Sequence, residues 1–231
     1  MSDLSESKEM KSHERADMEG GYSPPIQPYH AFVEKYIKDK PGKLLEVGCG
    51  EGKFLKQFDG IDATGLEIDK KLAERARASG LKIVVTDASE GIPFPDSSFD
   101  YVVCLETIAH IVDSDRFLKE CHRVLKPDGV MFLETVNSAN WRYRLQYLFA
   151  IHNNYELFYG KVVGKSYSRY REIVYPEHKM IHLHHYSVNS IKMILREKGF
   201  EVEDWSYKLS KLGFWPNLLA PQIFFKCSAI K

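Results

Sequence analysis

Lys43-Leu-Leu-Glu-Val-Gly-Cys-Gly-Glu-Gly52 sets a short, mostly apolar run, Leu44 to Val47 with Glu46 inside it, directly against the glycines Gly48, Gly50 and Gly52. An apolar run of this length that ends in glycine reads as a buried strand. Glycines at its end let the backbone turn sharply and approach a ligand closely. Phe54, Leu55 and Phe58 predict a helix starting near Gly52. The same strand-then-helix pattern repeats outward. Strands are expected at 63–68, 82–86, 101–105 and 130–136, and helices at 69–78 and 115–125, with Gly80 closing the first and a Pro127-Asp128-Gly129 turn following the second. Upstream, Phe32, Val33, Tyr36 and Ile37 recur at helical spacing and stop at Pro41-Gly42. Downstream, Ser187 is a good N-cap for a helix whose face carries Val188, Ile191, Ile194 and Leu195 and which Gly199 closes. Strands 200–207 and 222–230 finish the chain. Nearly all-apolar strands alternating with helices imply an α/β fold, a doubly wound, mostly parallel Rossmann-like sheet covered on both faces.

The 231 residues suit one domain with an elaboration. Residues 1–21 are polar and mixed in charge and are expected to form a disordered tail, leaving 22–231 as the domain. Within it, 140–186 is crowded with aromatic and basic residues, among them Trp141, Tyr143, Tyr155, Arg169 and Tyr170. It reads as a helical, aromatic lid inserted over the sheet's carboxyl edge. Lys plus Arg and Asp plus Glu both number 32, which argues against a whole-protein electrostatic grip on nucleic acid or anionic membrane. The four cysteines, Cys49, Cys104, Cys121 and Cys227, form no CxxC pair, which suits a reducing cytoplasmic setting. No apolar run is long enough to span a membrane, and the first residues lack the apolar core of a secretory signal.

A glycine-rich turn alone is a weak signal. Here Glu67 ends the next strand, where an acid can accept hydrogen bonds from a ribose diol, so loop and acid together imply a nucleoside-bearing ligand. The loop is G-x-G-x-G and not G-x-G-x-x-G. Glu46 precedes it, where a carboxylate would repel a pyrophosphate but could orient an ammonium group. S-adenosylmethionine carries that group and no phosphate. The consecutive segments LLEVGCGEG, ATGLEID, VVTDASEGIPFPDSSFDYVVC and FLKECHRVLKPDGVMFLE resemble those of the class I S-adenosylmethionine-dependent methyltransferases, particularly the small-molecule group that includes ubiquinone-biosynthesis O-methyltransferases. The resemblance covers about Lys43 to Val136 and returns weakly after His184. It implies a seven-stranded sheet whose last strand is antiparallel. It also implies S-adenosylmethionine as cofactor and S-adenosylhomocysteine as product. Gly48, Cys49, Gly50 and Gly52 would line the methionine and ribose end, and Glu67 would bind the ribose hydroxyls. Ile68 would cover adenine, Asp87 and Ala88 would read its edge, and Leu105 and Glu106 would face the sulfonium.

Chemistry beyond the cofactor rests on fewer residues. His110 follows the expected fourth strand closely and has a suitable pKa to act as general base toward a hydroxyl acceptor, with Glu106 beside it. Packing or capping a loop is an equal reading of His110. Some quinol O-methyltransferases carry E-x-x-E-H here and bind a metal, but Glu106-Thr-Ile-Ala-His110 lacks the second acid, so no metal is expected. His178, His182, His184 and His185 lack recognisable ligand spacing. The leading expectation is methyl transfer to a small molecule, at oxygen, by a monomer or homodimer. Transfer to RNA or protein, a non-catalytic cofactor-binding module and an NAD-dependent oxidoreductase are the rivals.

Overall fold

A computed structural model describes residues 28–38, 40–58, 60–148, 183–207 and 220–231. The expected tail and most of the expected lid, with His178 and His182, lie outside these residues. Seven strands form one sheet in the order β3-β2-β1-β4-β5-β7-β6. They are β1 (Lys43–Val47), β2 (Asp62–Glu67), β3 (Lys82–Val85), β4 (Phe99–Cys104), β5 (Leu125–Val136), β6 (Phe200–Tyr207) and β7 (Gln222–Ala229). β1 to β5 pair in parallel, while β7 runs antiparallel to both β5 and β6. The order reverses beside β1, between the halves β3-β2-β1 and β4-β5-β7-β6. In open α/β sheets the crevice at such a reversal, outside the strands' carboxyl ends, is where ligands bind.

Each sheet face buries its own core. One face stacks Leu45, Val47, Val102, Cys104, Met131 and Leu133 with residues of the helices α3 (Ser114–Val124) and α5 (Val188–Glu197). The other joins Leu44, Val103, Phe132 and Phe224 to Val33 and Ile37 of α1 (Pro28–Ile37), to Phe54, Leu55 and Phe58, and to Ala73 and Ala76 of α2 (Lys70–Ala78). The alternating side-chain directions of a strand explain how one apolar run serves both layers. The helices begin where the sequence offers caps. Asp69 accepts from Lys71 and Leu72, Asp113 accepts from Arg116, and Ser187 forms a capping box with Ser190.

Two local expectations are corrected. No α-helix follows Gly52. The chain makes turns and a single 3-10 turn at Leu55–Gln57, which ends where Phe58 leaves the helical region with φ of −112° and ψ of 81°. Pro127-Asp128-Gly129 does not precede β5 but lies inside it, as an irregularity with Asp128 at φ of 61° and a register shift opposite Phe99 to Tyr101. α4 (Trp141–Leu148) opens the aromatic segment.

Candidate functional site

The site assembles at the carboxyl ends of β1 to β4. Beyond β1 the loop keeps pairing with β2, with the N–H groups of Gly48 and Cys49 both donating to Leu66 O at 2.9 and 3.0 Å. The Gly50 N–H donates to Glu67 Oε2 at 2.7 Å, and the Gly52 N–H donates to Cys49 O at 2.8 Å. These four loop donors are therefore used inside the protein. With no α-helix behind them, these four do not form the open N–H cluster that holds a pyrophosphate. This favours a ligand without phosphate and disfavours a dinucleotide.

The glycines divide by role. An added Cβ at Gly48 would lie 2.3 Å from Thr107 Oγ1, and one at Gly52 would lie 2.1 Å from Leu81 Cδ1. One at Gly50 would meet nothing within 4 Å. Gly48 and Gly52 thus serve the fold, while Gly50 borders open space at the sheet edge. Cys49 turns inward against Gly65, where an added Cβ would stand 2.5 Å from Cys49 Sγ, and burial pushes its thiol up. Its side chain thus serves the packing of β2. The importance of Gly65 was not read from the sequence, where it is one glycine inside an apolar run.

Two buried carboxyls stand beside the loop. Glu67 Oε1 accepts from the Asp69 N–H at 2.8 Å, so Glu67 clamps the loop on one side and the turn into α2 on the other. A carboxylate offers about four lone-pair sites, so Glu67 retains capacity to accept from a diol. Glu46 is buried, and its Oε2 has no hydrogen-bond partner. Burial first, and the neighbouring Glu67 charge second, hold its carboxyl well above the usual range. A buried carboxyl with an orphan oxygen lacks a partner, and a cationic group would satisfy it and return its charge. The residues present therefore fit the ammonium group of S-adenosylmethionine at Glu46 and a ribose at Glu67.

After β3, Asp87 Oδ1 accepts from the Ser89 N–H at 2.9 Å and Ala88 is buried beside it. Ile68 is 40% exposed, an apolar side chain at the rim available to cover a flat base. After β4, Leu105 is buried and Glu106 takes a left-handed backbone with φ of 53°. Thr107 Oγ1 donates within reach of Val47 O at 3.1 Å and Leu105 O at 2.8 Å, tying the β4 end to β1. His110 ends a 3-10 turn, its N–H donating to Thr107 O at 2.9 Å. Leu183 and His184 donate their N–H groups to Ala109 O, which places the segment leading to Tyr186 alongside the His110 turn. Each residue expected at the site thus lies at the carboxyl end of β1, β2, β3 or β4. Sequence reasoning missed Thr107, Glu134 and Gln222. The polar Glu134 in the apolar run Met131-Phe-Leu-Glu-Thr-Val136 was the available signal.

Among the described residues no group of His, Cys, Asp and Glu could hold a metal, and no helix is long and apolar enough to cross a membrane. A cavity of about 220 Å³ lies at the opposite, amino-terminal edge, lined by Tyr36, Asp100, Lys126 and Gly129 among others. Its Lys126 and Asp100 pair with each other, so that cavity belongs to the frame and not to the chemistry.

The fold is an α/β sheet whose carboxyl edge carries two buried carboxyls, Glu46 and Glu67, beside a glycine loop. Residues 45–133 match the model of a methyltransferase domain. The chain is 28% identical over 173 residues to the ubiquinone biosynthesis O-methyltransferase of Photobacterium profundum, covering 69% of this chain and 71% of that one. It is 32% identical over 121 residues to a Mus musculus protein named "Probable tRNA methyltransferase 9B", covering 49% of this chain and 27% of that one. A solved SAM-dependent methyltransferase structure from Methanosarcina mazei superposes with a TM-score of 0.65 at 20% identity, covering 90% of this chain and 99% of that one, and so shares the fold. Residues 45–133 are a methyltransferase domain, and these similarities together support a class I S-adenosylmethionine-dependent methyltransferase with S-adenosylmethionine as cofactor.

Proposed function

We propose that this enzyme methylates a small-molecule acceptor, at oxygen, with Glu106 and His110 at the reacting end of the site. One observation carries the reading. The similarity to an O-methyltransferase of small molecules runs over 71% of that relative's length, whereas the similarity to the tRNA methyltransferase relative stops at 27% of its length. The equal numbers of acidic and basic residues point the same way.

When bound, S-adenosylmethionine supplies an electrophilic methyl group on sulfur. Glu46 holds the ammonium end and Glu67 the ribose, while Asp87, Ala88 and Ile68 receive the base. Leu105 presents an apolar wall, and Glu106 a carboxylate, at the end of β4. Most of the protein's contribution is then orientation and exclusion of water. His110, on the turn that follows β4, would take the proton of the acceptor hydroxyl as its oxygen gains the methyl group and sulfur keeps the electron pair of the broken sulfur–carbon bond. The expected lid, 140–186, would cover the acceptor; α4 is the part of it that the structure describes.

The test is transfer of a labelled methyl group from S-adenosylmethionine to a panel of catechols and hydroquinones, run beside bulk tRNA and protein. Label in a small phenolic ether supports the reading. Label recovered only in tRNA or protein refutes it, as does transfer to a small amine with none to hydroxyl acceptors.

A further inference from the structure

Glu134 is an expensive residue for its position. It is fully buried near the carboxyl end of β5, next to the core residues Phe132 and Leu133. Its Oε1 has no hydrogen-bond partner. An apolar side chain there would avoid the cost of burying a carboxyl group. Its other oxygen, Oε2, accepts from the Glu106 N–H at 2.6 Å. Glu106 is itself unusual. Its φ of 53° costs a non-glycine residue about 1–2 kcal/mol. Such a conformation persists where the surroundings over-determine it. Here the second restraint is Gln222, at the start of β7, whose Nε2 donates to Glu106 Oε1 at 2.9 Å. β7 pairs with β5 so that Glu134 faces Phe224 and Val136 faces Gln222 in register. Two adjacent strands therefore grip one residue of a third, one by its backbone and one by its carboxylate.

We propose that Glu134 and Gln222 are positioning residues for methyl transfer, holding Glu106 in its left-handed turn so that its carboxylate stays fixed at the β4 end, toward the cofactor's positive sulfur. This rests on the placement of Glu106 at the reacting end given above. The charges are consistent with that task. Burial first, and the Glu106 charge second, push the Glu134 carboxyl up to about 8. At neutral pH Glu134 is then a largely neutral acceptor for the Glu106 N–H.

A comparison of S-adenosylmethionine with S-adenosylhomocysteine tests this without any acceptor, because the two ligands differ at sulfur by a methyl group and a positive charge. Calorimetric titration of both ligands gives their affinity ratio in wild type, Glu106→Gln, Glu134→Ala, Glu134→Gln and Gln222→Leu. Glu106→Gln should lower the preference for the methylated cation about fivefold, the effect of one partly exposed charge pair. Glu134→Ala and Gln222→Leu should each lower it at least about twofold, as the carboxylate loses its fixed direction. Glu134→Gln, whose amide oxygen still accepts from the Glu106 N–H, should keep the wild-type ratio. A general loss of packing would weaken both ligands alike and leave the ratio in place. If Glu106→Gln lowers the ratio while Glu134→Ala and Gln222→Leu do not, the positioning proposal is wrong and the site reading survives. If Glu106→Gln leaves the ratio unchanged, Glu106 does not face the sulfur, and the reading beneath the proposal fails with it. Should Glu134→Ala not fold by circular dichroism, Gln222→Leu, at a half-buried position, carries the same decision.

Discussion

Replacing Gly48 and Gly50 in turn with alanine separates what the loop does for the fold from what it does for the ligand. Both glycines have positive φ, 75° and 54°, so each alanine incurs the left-handed penalty of about 1–2 kcal/mol. At Gly50 that is the whole structural cost, since the new methyl meets nothing within 4 Å. At Gly48 the methyl would stand 2.3, 2.9 and 3.2 Å from Thr107 Oγ1, Cγ2 and Cβ. Thr107 is stiff at χ1 and is held by its bonds to Val47 O and Leu105 O, so it cannot swing aside cheaply. Overpacking adds about 1–3 kcal/mol, which brings Gly48→Ala to about 2–5 kcal/mol. For a domain of this size, 1 kcal/mol shifts Tm by about 2–4 °C. Gly50→Ala should therefore lower Tm by about 2–8 °C and Gly48→Ala by about 4–20 °C on that scale. Affinity should move the other way. The Gly50 methyl enters space that the ligand is to occupy, so S-adenosylhomocysteine should bind Gly50→Ala at least about tenfold more weakly than wild type, a loss of about 1.4 kcal/mol. Thermal unfolding and calorimetry on the same samples check both numbers. A Gly50→Ala protein that binds with wild-type affinity, or that loses as much stability as Gly48→Ala, would refute the division of roles.

His110→Ala should reduce methyl transfer to a hydroxyl acceptor by about 10²–10⁴-fold while leaving S-adenosylmethionine affinity within about twofold, as for loss of a general base; a near-wild-type rate would assign His110 to packing alone. His30 is buried against Phe54, and burial lowers its imidazole from 6.5 to about 4 in the folded protein. The unfolded chain therefore takes up the proton first, so stability falls as pH drops from about 6.5 toward 4. His30→Phe should flatten that part of the Tm–pH curve, and a variant curve parallel to wild type over this range would show that another group sets the acid limb.

The strand and glycine pattern around Val47 made both the sheet and its ligand edge legible, because a buried parallel strand followed by glycines leaves few local alternatives. The spacing of Phe54, Leu55 and Phe58 was read as a helix, yet five residues of periodicity do not distinguish an α-helix from a 3-10 turn whose side chains also reach the core. Phe58, which leaves the helical region with φ of −112° and ψ of 81°, ends the turn. Pro127-Asp128-Gly129 is a genuine irregularity, but only the pairing of β4 with β5 could place it inside a strand. Cys49 looked like part of the ligand loop, and its side chain instead fills the gap left by Gly65. Glu134 and Gln222 stayed hidden for a different reason. Their partner Glu106 lies 28 and 116 positions away in the chain, and they meet it through strand register, which no local pattern encodes. Glu46 and Glu67 could be placed side by side from the sequence because both lie where the ends of adjacent parallel strands converge.

The central claim is that the carboxyl edge of β1 to β4 takes S-adenosylmethionine through Glu46, Gly50 and Glu67. Titration of S-adenosylmethionine into the purified wild-type chain, first shown by mass spectrometry to carry no bound ligand and by circular dichroism to be folded, tests it most directly. Saturable binding at one site per chain is expected, with NADH producing no heat under the same conditions. A folded, ligand-free protein that fails to bind S-adenosylmethionine, or that binds NADH in its place, would contradict it.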